Sequence, residues 1–262
     1  MMELPVAPLP SMLRRRAYAL ALLGVVLLVL ACVLPPVAQP QDYHDFADER
    51  TWLGIPNFGN VASNIAFLLA GLAGLAVMRT PAVRAMGLAS RYGYDLMFLG
   101  LLLTAFGSSY YHWAPSDARL VWDRLPMTVV FMPLLAATFA ERLHWRSLLP
   151  LLVLTLLGIG SVVYWKFSGN FLPYLMAQAG SILLILLALA WLPTPWTGRR
   201  LMIPALACYA FAFVCERLDA QIFQLTGGVI SGHSIKHLGA AAAFYFIWRM
   251  LKQQRLKTDF NS

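Results

Sequence analysis

Two short stretches, GSSYYHW at 107–113 and GHSIKH at 232–237, hold three of the chain's five histidines. His233 and His237 are four residues apart, so on a helix they share one face, one turn from each other. Two imidazoles in that relation can bind one metal ion, as they do in helical zinc sites. His112 closes another apolar run at the same expected depth and adds a third neutral nitrogen. Three histidines leave one tetrahedral position for water, the pattern of a catalytic rather than a structural zinc. Zinc is favoured over iron because no redox cofactor is signalled nearby.

Ser108 lies one turn before His112 and shares its face, whereas Ser109 points about 100° away. Asp123 follows after WAPSDARLVWD and is expected to open the next span, returning to the same layer. A carboxylate beside an activated water can take its proton and pass it to a leaving group. A serine hydroxyl can donate to the oxyanion formed when water attacks a carbonyl. Singly, each residue has a plainer reading: a histidine solvated among headgroups, or a serine bonded to its own helix backbone. The conjunction is what points to hydrolysis.

The elements that must position these residues are apolar. Of 262 residues 60% are hydrophobic and 12% charged, with mean hydropathy +0.66. Soluble domains are less apolar and more highly charged. Eight runs suit bilayer crossing: 17–35, 60–78, 92–112, 125–140, 148–165, 171–192, 201–215 and 233–251. They imply an all-α polytopic membrane protein, since open backbone goes unsatisfied in lipid. Residues 1–16 read as a flexible basic tail and 17–36 as an extra N-terminal helix, retained rather than cleaved. Residues 37–251 form the core, and 252–262 a basic tail.

The net charge of +8 reflects topology, because lysine and arginine gather on alternate loops. By the positive-inside rule both termini are cytoplasmic, leaving most acidic residues and four histidines on the outer side. Nucleic-acid binding has no support, and no protein partner is predicted. Cys32, Cys208 and Cys215 fall inside spans, so no disulfide framework is expected. His44 and His144 read as surface residues. Lys236 is expected to meet lipid phosphate, Glu216 or Asp219. Asp95, inside a span, is expected to form an interhelical bond.

The set Ser108, His112, Asp123, His233 and His237 resembles the alkaline ceramidases, part of a membrane hydrolase superfamily that includes adiponectin-receptor-like proteins. The resemblance implies a seven-helix bundle, here with one extra helix, in which three histidines hold zinc and the serine and aspartate are catalytic. It implies hydrolysis of an N-acyl lipid, such as ceramide or phytoceramide, to fatty acid and sphingoid base. The loop DYHDFADERTWLGIPNFGN is similar to a calcium-binding segment of that family. The similarity would assign Asp42, Tyr43 by its carbonyl, Asp45, Asp48 and Asn57 to calcium, an ion that gathers several oxygens. Asn57 stands where the family has a glutamate. A lipid-binding receptor with structural zinc and an ion or proton transporter are the rival readings. Compact loops and the basic N-terminal cluster suit a bacterial inner membrane, with the site facing outward.

Overall fold

The computed structural model describes residues 10–257. Its helices are α1 (Ser11–Val33), α2 (Phe58–Ala62), α3 (Ile65–Val77), α4 (Pro81–Arg84), α5 (Leu88–Trp113), α6 (Asp117–Leu143), α7 (Leu149–Ser168), α8 (Leu172–Trp191), α9 (Met202–Arg217), α10 (Asp219–Leu225) and α11 (Gly232–Gln253). Among the described residues there is no strand, which agrees with the all-α expectation. Five helical segments are long and apolar enough to cross a bilayer: α1, α2 with α3, α6, α7 and α8. A sixth follows if α9 and α10, bent by 83° at their junction, form one broken span. That number is below the eight of the sequence reading. The difference lies partly in α5 and α11. Both have the length of a typical spanning helix, but they carry the polar site residues.

The α5–α6 pair forms the spine. Gly93, Gly100 and Gly107 recur every seven residues along α5, close to two helical turns, and face α6. A Cβ on Gly107 would lie 2.0 Å from the Trp122 carbonyl oxygen, and one on Gly100 would lie 2.7 Å from the Val129 carbonyl carbon. Only glycine permits this backbone approach, the close packing that small residues give helices in a membrane. The same contact draws Ser108, next to Gly107, toward Asp123, next to Trp122. The core fills in around it with Tyr94, Met97 and Phe98 of α5, Leu135 of α6, and Phe244 and Ile247 of α11.

Three boundaries differ from the sequence reading, each for a local reason. The α5–α6 link is only Ala114–Ser116, because the Ser116 hydroxyl caps the Arg119 N–H at 3.4 Å. Serine is a favoured cap, and Asp117 suits a helix's first turn. Asp123 therefore lies nearly two turns inside α6 instead of opening it. The expected 60–78 span is interrupted at Ser63 and Asn64, dividing α2 from α3. Residues 11–16, expected in a flexible tail, are the first turns of α1. At the other terminus, the chain after α11 lies against the 195–197 loop, with Thr197 N–H donating to the Arg255 carbonyl at 2.9 Å. Residues 1–9 and 258–262 of the two expected tails lie outside the described residues.

Helix α1 packs mainly on α8 and leaves most of its apolar side chains exposed within the chain, as a lipid-facing helix does. At the far end of the spine, Glu141 is fully buried. It accepts from Arg199 Nε at 2.9 Å, Arg142 Nη1 at 3.4 Å and the Tyr94 hydroxyl at 2.8 Å. This clamp joins α5, α6 and the turn before α9, and no local sequence pattern announces its partners.

Candidate active site

His112 ends α5, while His233 and His237 occupy the first two turns of α11. All three are buried, and one ring nitrogen from each lies within 4.8 Å of the others. His112 Nε2 and His233 Nε2 face each other at 3.2 Å. Tetrahedral zinc with Zn–N bonds of about 2.0–2.1 Å sets its nitrogens about 3.3 Å apart, so this pair is at ligand spacing. The ring centroids are separated by 4.7, 4.8 and 5.1 Å.

The surrounding groups orient the rings. The Ser63 hydroxyl donates to the Asn60 carbonyl at 3.1 Å, so its oxygen accepts from His237 Nδ1–H at 2.8 Å. That hydrogen bond sets the tautomer and leaves His237 Nε2 as the acceptor, the role a partner behind a metal ligand performs. The break between α2 and α3 is what brings Ser63 here. Asp219 accepts the His233 N–H at 2.6 Å and the Ala47 N–H at 2.9 Å, tying the start of α11 to the loop before α2. His112 Nδ1 is buried with no hydrogen-bond partner. Phe46 covers the rings, its centroid 4.7 Å from His112 and 4.6 Å from His233. The donor set, spacing and fixed tautomer fit a zinc ion.

A cavity of about 300 Å³ adjoins the histidines. Ser108, Asp123 and His237 line it together with Tyr43, Glu216 and Lys236, and much of the remaining wall is apolar, including Leu101, Val130, Phe131, Ile182 and Phe244. Ser108 is 2% exposed and Asp123 8%, so the carboxylate lies away from bulk water. Lys236 pairs with Glu216, one of the partners its sequence position suggested. Tyr43, in a tight turn over residues 41–44, donates its hydroxyl to Glu216 at 3.4 Å. Burial pushes that phenol above its ordinary value, partly opposed by the Lys236 charge.

The acidic loop is arranged otherwise. Asp48 is buried and held by Arg50, with Nε to Oδ1 at 2.7 Å and Nη2 to Oδ2 at 2.8 Å. Arg50 also donates to the Val229 carbonyl at 3.0 Å and to that of Gly228. Asn57 adopts a left-handed turn, φ 47°, and its amide donates to the His112 carbonyl at 2.8 Å. Asparagine tolerates that backbone conformation better than most residues. Asp42 and Asp45 are exposed. Among the described residues the group of ionisable side chains that could share a metal is the histidine trio, and the carboxylates of Asp42, Asp45 and Asp48 do not gather into another.

Sequence reasoning passes over Phe46 in the loop before α2, Ser63 at the break between α2 and α3 and Arg124 inside α6, and it names Asp219 only beside Lys236. His44, a surface residue by sequence, bridges the loop to the bundle through Tyr111 at 2.9 Å and Asp117 at 3.1 Å. Asp95 makes no interhelical bond through Oδ1, which is buried without a partner.

No curated protein matches the chain. The family model described as Ceramidase matches residues 54–262, from just before α2 onward; α1 and most of the acidic loop precede the match. The chain belongs to the ceramidase family and is thus a hydrolase acting on the amide bond of ceramide.

Proposed function

We propose that the chain is a zinc-dependent intramembrane amidase that cleaves an N-acyl lipid of the ceramide class into fatty acid and amine. One observation carries this reading: His112, His233 and His237 converge in a buried cluster beside a cavity lined by Ser108 and Asp123. A zinc ion held by the three imidazoles would supply Lewis acidity and make water nucleophilic near neutral pH. Asp123 takes a proton from the attacking water and delivers it to the departing amine. Ser108 donates to the oxygen that becomes negative as the carbonyl turns tetrahedral. Ser63 holds the His237 tautomer, and Phe46 keeps bulk water from the rings. The apolar wall receives the acyl chain.

The same reading sets the chain in a bilayer with eight spans, α5, α9 and α11 included, and with both termini cytoplasmic. The histidine end then faces outward, as the basic loops imply; in a bacterium this is the inner membrane. In the acidic loop Arg50 does the work that calcium would otherwise do. Its guanidinium meets a carboxylate and two backbone carbonyls, the oxygen types a calcium ion gathers.

The test is release of free fatty acid from ceramide and phytoceramide by purified protein. Wild type releases it, while Asp123→Asn retains zinc and loses most turnover. Release by Asp123→Asn at near wild-type rate would remove Asp123 from the proton-transfer role.

A further inference from the structure

Three cations line the cavity; Arg217 is exposed, and the situations of the other two, both near Asp123, are opposite. Lys236 is ion-paired with Glu216, so its charge is met within the chain. Arg124, which follows Asp123 on α6, is 4% exposed; its Nη1 is buried with no hydrogen-bond partner, and no ion pair forms at it among the described residues. Four rings surround its guanidinium carbon, with centroids at 4.2 Å for Phe171, 4.7 Å for Trp165, 5.1 Å for Tyr174 and 5.2 Å for Tyr43.

Ring faces stabilise a cation, yet they leave the five in-plane N–H donors of a guanidinium unfilled. A charge buried with its donors unmet is costly. The cavity that Arg124 lines is where an acceptor can reach it. The rings also fix the plane of the fork, and a fixed fork matches the two oxygens of a carboxylate or phosphate.

We propose that Arg124 receives a carboxylate or phosphate on the amine half of the substrate, so that the enzyme favours N-acyl lipids with an anionic head. The proposal rests on the amidase reading. Arg124 adjoins the carboxylate that hands a proton to the amine, so an anion bound there lies within one head group of the scissile bond. Neutral ceramide fills the same cavity but leaves the guanidinium unmet.

The experiment compares matched lipids. N-palmitoylglycine and N-palmitoylethanolamine share the acyl chain and amide and differ in a carboxylate; ceramide 1-phosphate and ceramide differ in a phosphate. Wild type is expected to show kcat/KM roughly tenfold or more higher for the anionic member of at least one pair. Arg124→Gln collapses that ratio toward one, and Arg124→Lys restores part of it. A wild-type ratio of one or below in both pairs overturns the proposal, as does a ratio that Arg124→Gln leaves unchanged. Strong inhibition by palmitate, relieved in Arg124→Gln without any head-group preference, would move the anion to the product's carboxylate and also overturn it. If no lipid of the panel is hydrolysed, the amidase reading fails and binding decides the anion site. Tighter calorimetric binding of N-palmitoylglycine than of N-palmitoylethanolamine, lost in Arg124→Gln, supports it, and equal binding refutes it.

Discussion

Along α6, Asp123 and Glu141 lie about 27 Å apart at about 1.5 Å per residue, and each belongs to a buried polar cluster. At the Glu141 end the carboxylate is filled from within the chain by Arg199, Arg142 and Tyr94. At the Asp123 end three imidazoles turn ring nitrogens toward one another, and one guanidinium sits among aromatic rings with no ion-pair partner among the described residues. Both clusters are costly to bury. In the first, although Arg142 Nε and Arg199 Nη1 lack hydrogen-bond partners, both guanidinium charges face the Glu141 carboxylate, and the cluster clamps helices. On the proposed function the second is completed by what binds there, which is how a site for chemistry differs from a clamp.

The sharpest break in that comparison comes from Asp123→Asn. Turnover should fall by about 10²–10⁴-fold, the share a positioned proton-transfer group contributes, with zinc content and melting temperature close to wild type. Steady-state kinetics alongside metal analysis measure it; a tenfold loss or less would place Asp123 among the supporting residues. Gly107→Ala acts through the spine instead. Its methyl cannot coexist with the Trp122 carbonyl at 2.0 Å, so α5 and α6 must separate where Ser108 meets Asp123. Displacement of about 1 Å can cost roughly 100-fold in rate, and kcat should drop more than KM changes.

Ser63→Ala removes the acceptor that fixes the His237 tautomer. Zinc affinity should weaken by about 10–100-fold, the usual cost of losing a partner behind a metal ligand; competition with a chromogenic chelator reads this directly. Glu141→Gln should do the reverse. It leaves buried guanidinium groups uncompensated and should cost about 3–5 kcal/mol of stability, while turnover per folded molecule holds. A Glu141 variant that is stable but inactive would erase the distinction between the two ends. The smallest effect is expected from calcium removal. At constant zinc it should leave activity and melting temperature unchanged, whereas a clear fall would put an ion back among Asp42, Asp45, Asp48 and Asn57 in place of the Arg50 bridge.

The histidine trio is legible in the sequence because its signal is local. A four-residue spacing within one helix and a histidine at the end of another apolar run need only the helical period and a common depth. Ser108 and Asp123 yield to the same logic, although hydropathy alone starts the span at 125, leaves Asp123 at its mouth and misses the cap that Ser116 provides. What sequence does not reveal depends on contacts between distant segments. Ser63 reaches His237 through a break in a helix that looks continuous in hydropathy. Phe46 and Asp219 act from a loop and a bend whose paths no periodicity specifies. Arg124 looks like an ordinary residue near a span's outer end, and its state emerges only when α7, α8 and the 41–44 turn bring four rings around it. The calcium assignment follows a pattern of acidic residues, and Arg50, two residues beyond Asp48, is the nearby signal that tempers it.

The most direct test of the central claim is the zinc content of purified protein, wild type beside His112→Ala, His233→Ala and His237→Ala. About one zinc per wild-type chain and loss of that zinc in each variant is the predicted result. Wild-type zinc content in all three variants would contradict it.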